Sequence, residues 1–331
     1  MFSLSDFWYR PSFYPATLFL LPFSWLFSLC ITLRHWFYKV GLIKVHDFSV
    51  PVIIVGNISV GGTGKTPFVI WLADFLRSQG YSPGIVSRGV GGKKQSKPYH
   101  VTFNDCASLV GDEAVLLAKN TQCPVVIGID RVAAVRELLA NTKCDVVISD
   151  DGLQHYRLGR SIEIAMVDHV RKFGNERLLP AGPLREPIKR LVKVDFVIYN
   201  GDKNHPHHLS IEPHEFVSLK NQTQKCHPNE FPNKKIHAVA GIGHPEKFFN
   251  LLRAMGFEVI PHAFPDHHLF RPHEINFNDA YPILMTEKDA VKCQSFASES
   301  CWYLSVTAKV SDALQLKLME KLNHHHSRDR L

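Results

Sequence analysis

The stretch VIIVGNISVGGTGKTP, residues 52–67, decides the fold. A run of β-branched residues ends at Gly56, a glycine-rich loop follows, and Lys65-Thr66 opens a segment with helical spacing. Strand, glycine loop and helix in that order make a phosphate-binding loop. With no side chain at Gly61, Gly62 or Gly64, backbone N–H groups can close around an anion. The first turn of the helix adds its partial positive charge. Ser59, Val60, Gly61, Gly62, Thr63, Gly64, Lys65 and Thr66 are therefore the expected nucleotide-phosphate contacts. Lys65 would reach the β- and γ-phosphates, and the Thr66 hydroxyl would be available to Mg²⁺. The strict pattern GxxxxGK[ST] fails at its first position, where Ser59 stands.

Outward from the loop, Phe68, Val69, Leu72, Phe75 and Leu76 recur at helical spacing until Gly80. Short apolar runs at 85–86, 124–127, 144–149, 163–167 and 196–199 read as strands, alternating with helices at 111–120 and 131–140. Asp130 is the expected cap of the second of these. The alternation implies an α/β fold: a P-loop NTPase-like, mostly parallel sheet flanked by helices. Residues 200–233, rich in Pro, His, Asn and Lys, read as a linker in which only 215–219 resembles a strand. Beyond it, strands at 236–240, 258–260, 282–285 and 302–305 alternate with helices at 245–255, 288–294 and 311–322. The expected organisation is thus an N-terminal membrane-associated helix with its flank (1–45), a P-loop core (46–215) and a smaller C-terminal α/β domain (216–331).

The 331 residues are 45% hydrophobic and 21% charged, as in a folded protein. A net charge of +7 and a pI near 9.0 favour an anionic partner. The basic residues form no dense block with interleaved aromatics, so nucleic acid is not the expected partner. Seven cysteines without CxxC spacing point to a reducing compartment. Histidines at 205, 207, 208 and 324–326 lack carboxylate or cysteine companions at metal spacing and read as solvated.

Residues 16–33, ATLFLLPFSWLFSLCITL, carry no charge. A helix over them would be about 27 Å long, just short of the ~30 Å hydrocarbon core. Phe7, Trp8, Tyr9, Phe13 and Tyr14 precede the run, and Trp36, Phe37 and Tyr38 follow it, as aromatic belts do at a membrane interface. Arg34, Lys39 and Lys44 favour a cytoplasmic side for the rest of the chain. No small-residue cleavage site follows, which disfavours a signal peptide. A membrane anchor fits best, either spanning or, given Pro22 and the marginal length, lying in the interface.

VVISDD ends a hydrophobic strand in acids, which would place Asp150 or Asp151 beside the loop to hold Mg²⁺. A phosphoryl transferase also needs a group that takes the acceptor hydroxyl's proton. Asp112-Glu113 and Asp266-His267 are both candidates, and composition does not choose between them. Arg88, Arg131 and Arg185 are candidate anion contacts.

Eight segments in order resemble the tetraacyldisaccharide 4′-kinase (lipid A 4′-kinase) family of lipopolysaccharide synthesis. They are GNISVGGTGKTP (56–67), VSRG (86–89), GDEA (111–114), SDDGLQH (149–155), LLPAGPLREP (178–187), GIGHPEKFF (241–249), PDHH (265–268) and TEKDAVK (286–292). The resemblance implies a kinase at the inner membrane, with its catalytic domains on the cytoplasmic side. It would use ATP and Mg²⁺ to phosphorylate the 4′-hydroxyl of a tetraacyldisaccharide 1-phosphate, giving lipid IVA, with no obligate protein partner. It also implies roles for single residues. Lys65, Asp112 and His267 would be catalytic, with Asp112 the proton acceptor, and Arg185 would meet the phosphates. Thr66, Asp150, Asp151 and Glu186 would serve the metal, and Arg88, Arg131, Gln154 and His155 the acylated disaccharide. Where the family has SRGYG, this chain has Val90, which removes an aromatic face from that contact. A partitioning-type ATPase would carry a lysine where Ser59-Val60 stand, and neither NGDK nor TEKD makes a guanine-recognition motif.

Overall fold

The computed structural model describes residues 8–9, 16–93 and 95–328, with side chains as far as residue 323. Phe7, Phe13 and Tyr14 of the expected aromatic flank lie outside the described residues, as do the side chains of the histidines at 324–326. In chain order the first half runs α1 (Ala16–Lys39), β1 (Val52–Gly56), α2 (Lys65–Ser78), β2 (Pro83–Ser87), β3 (Tyr99–Val101), α3 (Ala107–Val110) and α4 (Asp112–Asn120). It continues with β4 (Val125–Ile127), α5 (Arg131–Asn141), β5 (Val146–Asp150), β6 (Ile162–Asp168) and β7 (Phe196–Asn200). Then come β8 (His208–Ser218), β9 (Lys225–Cys226), β10 (Lys235–Ala240), α6 (Pro245–Ala254) and β11 (Glu258–Ala263). The chain ends with β12 (Ile283–Thr286), α7 (Glu287–Cys293), β13 (Cys301–Val310) and α8 (Asp312–Arg328).

Among the described residues, all strands join one 13-stranded sheet in the order β11-β10-β12-β13-β8-β7-β6-β1-β5-β2-β4-β3, with β9 paired to β8. β1 is buried at every position and runs parallel to β5 and β6. That is why its sequence is unbroken Val and Ile rather than alternating: both faces are covered. One face packs against α2 and α4 through Phe68, Leu72, Leu76 and Leu117, the other against α5 through Val135 and Leu138. The Asp130 carboxylate accepts from the N–H groups of Val132 and Ala133, capping α5 as expected.

The region expected as a linker instead holds β8, whose eleven residues pair antiparallel with β13 and parallel with β7. Pro213 breaks the strand pattern in HLSIEPHEFVS, and it sits beside the register irregularity between Leu304 and Val306. The last helix returns to the first half of the chain: Leu314, Leu318 and Leu322 of α8 pack in the same core as Ile164 and Ile198.

Helix α1 is longer than the uncharged run, at 24 residues or about 36 Å. By length and composition it could cross a membrane. Its covered positions, Thr17, Leu20, Leu21, Ser24, Phe27, Ser28, Ile31, His35 and Tyr38, follow a three-to-four spacing along its whole length. Ser24 Oγ donates to the Leu178 carbonyl at 2.9 Å and accepts from Ala181 N at 3.0 Å. Arg34 reaches the Gln154 carbonyl at 2.7 Å. The opposite face, with Phe19, Phe23, Trp25 and Leu26, is exposed.

Candidate active site

The phosphate loop leaves β1 at the edge of the sheet where β5, β6 and β7 also end. In register, Val55 of β1 pairs with Asp150 of β5, and Asp168 of β6 with Asn200 of β7. One strand edge thus delivers the loop, an acid and an amide to one place. Gly64 has φ 87°, and a Cβ there would come within 2.5 Å of Asn200 Nδ2, so only glycine fits. Asn200 donates to the Thr63 carbonyl at 3.2 Å and pins the loop from β7. Ser59 has a physical account as well. It forms a bridge with Leu184, and the residues around it pair with the same segment, Val60 N donating to Pro183 O at 2.8 Å. Its φ is not positive, so the position has no need of glycine.

That pairing brings Arg185 over the loop. Lys65 Nζ lies 3.3 Å from Asp151 Oδ1, and Arg185 Nη1 lies 3.3 and 3.0 Å from the two Asp151 oxygens. Burial raises the pKa of Asp151, but Lys65 and Arg185 outweigh it and hold the carboxyl well below the ordinary carboxylate range. Its neighbour Asp150 is the opposite case. Burial, then the charges of Glu113 and Asp151, push it up to about 7. Ser87 Oγ donates to Asp150 Oδ2 at 3.1 Å, while Oδ1 is buried without a hydrogen-bond partner among the described residues. A buried, orphaned carboxylate oxygen beside a phosphate loop suits a divalent cation.

Asp112 and His267 come together from positions far apart in sequence. His267 Nδ1 is 3.0 Å from both Asp112 oxygens, and Asp112 is buried at the start of α4. Gly111, at φ 94°, lets that start approach the Val90 carbonyl, which a Cβ would meet at 2.4 Å. Burial pushes Asp112 up, yet the His267 hydrogen bond and the charges of Lys288, His267 and Lys292 bring it below its ordinary value. His267 is raised, chiefly by the Asp112 hydrogen bond.

One cleft of about 1540 Å³ is lined by residues 60–66, Asp151 and Arg185, together with His267, Asp266, Glu113 and Lys288. Val90 borders it too. The structure therefore gathers the loop, Asp151, Arg185 and His267 around one volume, with Asp112 buried behind His267.

Other expected residues sit elsewhere. Glu186, also expected at the metal, is buried. Its carboxylate accepts from Gln154 Nε2 at 2.9 Å and from the Tyr156 hydroxyl, with Arg190 Nε at 3.5 Å and His35 of α1 at 3.6 Å. Both oxygens have partners beneath α1. Arg131, also expected at the substrate, stands at the start of α5. It is 2% exposed, its guanidinium donating to the carbonyls of Gly128 at 2.6 Å and Asp150 at 3.2 Å. Burial lowers its pKa to about 10. Arg131 and His155 border a separate pocket of about 200 Å³ with Arg34 and Arg157. Burial, with Arg131 and Arg88, lowers His155 to about 4, so its ring is neutral near pH 7. Gln154 also donates to the Asn57 carbonyl at 3.0 Å, and Arg88 is exposed at the end of β2. Asn200 and Tyr156 lie outside the matching segments, and Ser87 and Lys288, though within VSRG and TEKDAVK, were not singled out, because each acts through contacts made only in the folded chain.

A phosphate loop facing an Asp–His pair across one cleft is the working arrangement of a P-loop phosphotransferase. The chain belongs to the tetraacyldisaccharide-1-P 4'-kinase family, which it matches over residues 16–323. It is 48% identical over 326 residues to the tetraacyldisaccharide 4'-kinase of Nitrosococcus oceani, covering 96% of each chain. Against the tetraacyldisaccharide 4'-kinase of Coxiella burnetii the identity is 50% over 315 residues, covering 95% of this chain and 94% of the relative. Its fold is similar to that of LpxK from Aquifex aeolicus, solved in complex with ATP, with a TM-score of 0.77 and 30% identity. That likeness covers 94% of this chain and 99% of the other.

Proposed function

We propose that the chain transfers the γ-phosphate of ATP to the 4′-hydroxyl of a tetraacyldisaccharide 1-phosphate. The observation that carries this reading is the single cleft shared by Lys65, Arg185 and Asp151 on one side and His267 on the other. The loop N–H groups, Lys65 and Arg185 bind the phosphates and spread their charge as the phosphoryl group moves. Asp112 accepts the proton of the attacking hydroxyl, and His267 holds its carboxylate in orientation. Thr66, Asp150 and Asp151 would hold Mg²⁺, which when bound shields phosphate charge and orients the terminal phosphate. Arg88, Gln154 and His155, with the edge of Arg131, form the disaccharide side.

Supporting a membrane seat, the covered stripe of α1 runs its full length against the body of the protein. A helix bound in this way lies along the body, so it enters the bilayer interface sideways with Phe19, Phe23, Trp25 and Leu26 toward the acyl chains. The acyl chains of the substrate stay in that layer while the sugar reaches the cleft. Inner-membrane location with the cleft on the cytoplasmic side follows from the need for ATP and the basic flank of α1. The division of the chain is one of labour. Residues 1–45 carry the membrane contact, 46–215 the loop and Asp112, and 216–331 His267 and Lys288. Residues 208–218 run through the boundary as one strand.

The test is transfer of label from γ-³²P-ATP to tetraacyldisaccharide 1-phosphate in mixed micelles, with and without a Mg²⁺ chelator. We expect labelled lipid from the wild type with Mg²⁺, and none from folded Lys65→Ala or after chelation. Release of free phosphate without labelled lipid would refute the assignment.

A further inference from the structure

Lys288 stands in the first turn of α7 and faces the cleft, far in sequence from the residues it joins. Its Nζ is 3.1 Å from Glu113 Oε1 on α4 and 3.2 Å from Asp266 Oδ1, and it approaches Asp112 Oδ2 at 4.0 Å. Asp266 Oδ1 also accepts from the His267 backbone N–H at 3.0 Å. His267 holds a left-handed backbone at φ 59°, a conformation that persists in a non-glycine residue only when its surroundings over-determine it. The contacts form a closed circuit. Lys288 holds Asp266, Asp266 holds the His267 backbone, His267 Nδ1 meets Asp112, and Glu113 next to Asp112 returns to Lys288.

We propose that Lys288 is a positioning residue for the phosphoryl transfer, fixing the Asp112–His267 pair by bridging α4 to the turn that carries His267. The inference rests on reading that pair as the proton-accepting group. Salt bridges of this kind are worth little as stability when exposed. Here the side chain of Lys288 is 18% exposed, and what the bridges set is the relative placement of two catalytic groups. The charged groups around the pair are Glu113 from α4, Asp266 from the turn, and Lys288, Asp289 and Lys292 from α7. Lys292 cannot replace Lys288: it is buried behind Asp112 at 3.9 Å and bound to Asp289 at 2.7 Å.

The experiment compares Lys288→Gln, Lys288→Arg, Asp112→Asn and the Lys288→Gln/Asp112→Asn double variant of the full chain, in mixed micelles with ATP and the lipid acceptor. In folded Lys288→Gln, kcat should fall on the order of 10–10²-fold, the loss that misplacement of a catalytic group brings. KM for ATP should change by less than about three-fold, because the nucleotide loop is untouched. The positive charge of Lys288 lowers the pKa of both Asp112 and His267. Its removal should therefore move the acidic limb of the kcat profile to higher pH. Lys288→Arg should restore most of kcat and the limb. In the Asp112→Asn background, Lys288→Gln should add little further loss. Wild-type kcat with an unmoved limb, a rise confined to KM for ATP, or additive losses in the double variant would each overturn the inference. Wild-type turnover by Asp112→Asn would instead remove the dyad reading on which it rests. Asp266→Asn cuts the same circuit from the turn. Should Lys288→Gln not fold, it must lower kcat without a comparable rise in KM for ATP, and an unchanged kcat would overturn the inference.

Discussion

At the scale of single residues, the Asp112–His267 pair is the most informative arrangement in the molecule. Its two pKa values move in opposite directions, Asp112 down and His267 up. The signs set a pH window. A raised His267 contributes stability that is fully present below its unfolded value near 6.5 and is lost as pH rises through its folded value. A lowered Asp112 contributes stability that is present above its unfolded value and is lost as pH falls through its folded one. The thermal-melt advantage of wild type over His267→Gln should therefore shrink as pH rises above 6.5 toward and through the raised folded value. Melting curves at stepped pH check this, and an advantage that grows with pH over that range contradicts it. The loop residues were legible because Lys65 and Thr66 sit in one contiguous motif. Asp112 and His267 were separately visible as candidates, but their meeting is a fact of the fold. The surroundings of Glu186 were not legible for a physical reason: an acid in LREP looks the same in sequence whatever it meets in the fold, here Tyr156, Gln154 and Arg190.

At the scale of elements, α1 and β8 mark the two limits of reading. The apolar run of α1 was plain, but its orientation was not, because that depends on which stripe the body covers. Ser24 settles the side: its hydroxyl serves Leu178 and Ala181 on the body, while its neighbour Trp25 is 68% exposed. A Phe23→Ser/Trp25→Ser/Leu26→Ser variant should leave the fold intact and weaken sedimentation with anionic vesicles by an order of magnitude or more, as loss of buried apolar area predicts. Vesicle binding at the wild-type level would contradict the assigned face. β8 was hidden by composition, since Pro213 and a His- and Glu-containing sequence do not alternate as a strand should. Its pairing with β13 is non-local and supplies the order that the local pattern lacks.

At the scale of the whole molecule, the sheet is continuous from β11 to β3, and the two halves of the chain contribute different chemistry to the cleft. The first half brings the loop and Asp112, the second brings His267 and Lys288. The strand–helix alternation was enough to give the fold class. It could not reveal that α8 closes back onto the first core through Leu314, Leu318 and Leu322, because a terminal amphipathic helix fits either half. This layout makes a claim about division of labour: one cluster binds the nucleotide, and the other handles the acceptor's proton.

The most direct test of that claim measures ATP affinity by calorimetry and single-turnover label transfer on the same preparations of wild type, Lys65→Ala and Asp112→Ala. Asp112→Ala should bind ATP as the wild type does and transfer phosphate about 10²–10⁴-fold more slowly, the usual contribution of a positioned base. Lys65→Ala should lose transfer together with ATP affinity. If Asp112→Ala loses ATP affinity in proportion to its rate, or keeps the wild-type rate, Asp112 is not the proton acceptor and the division fails.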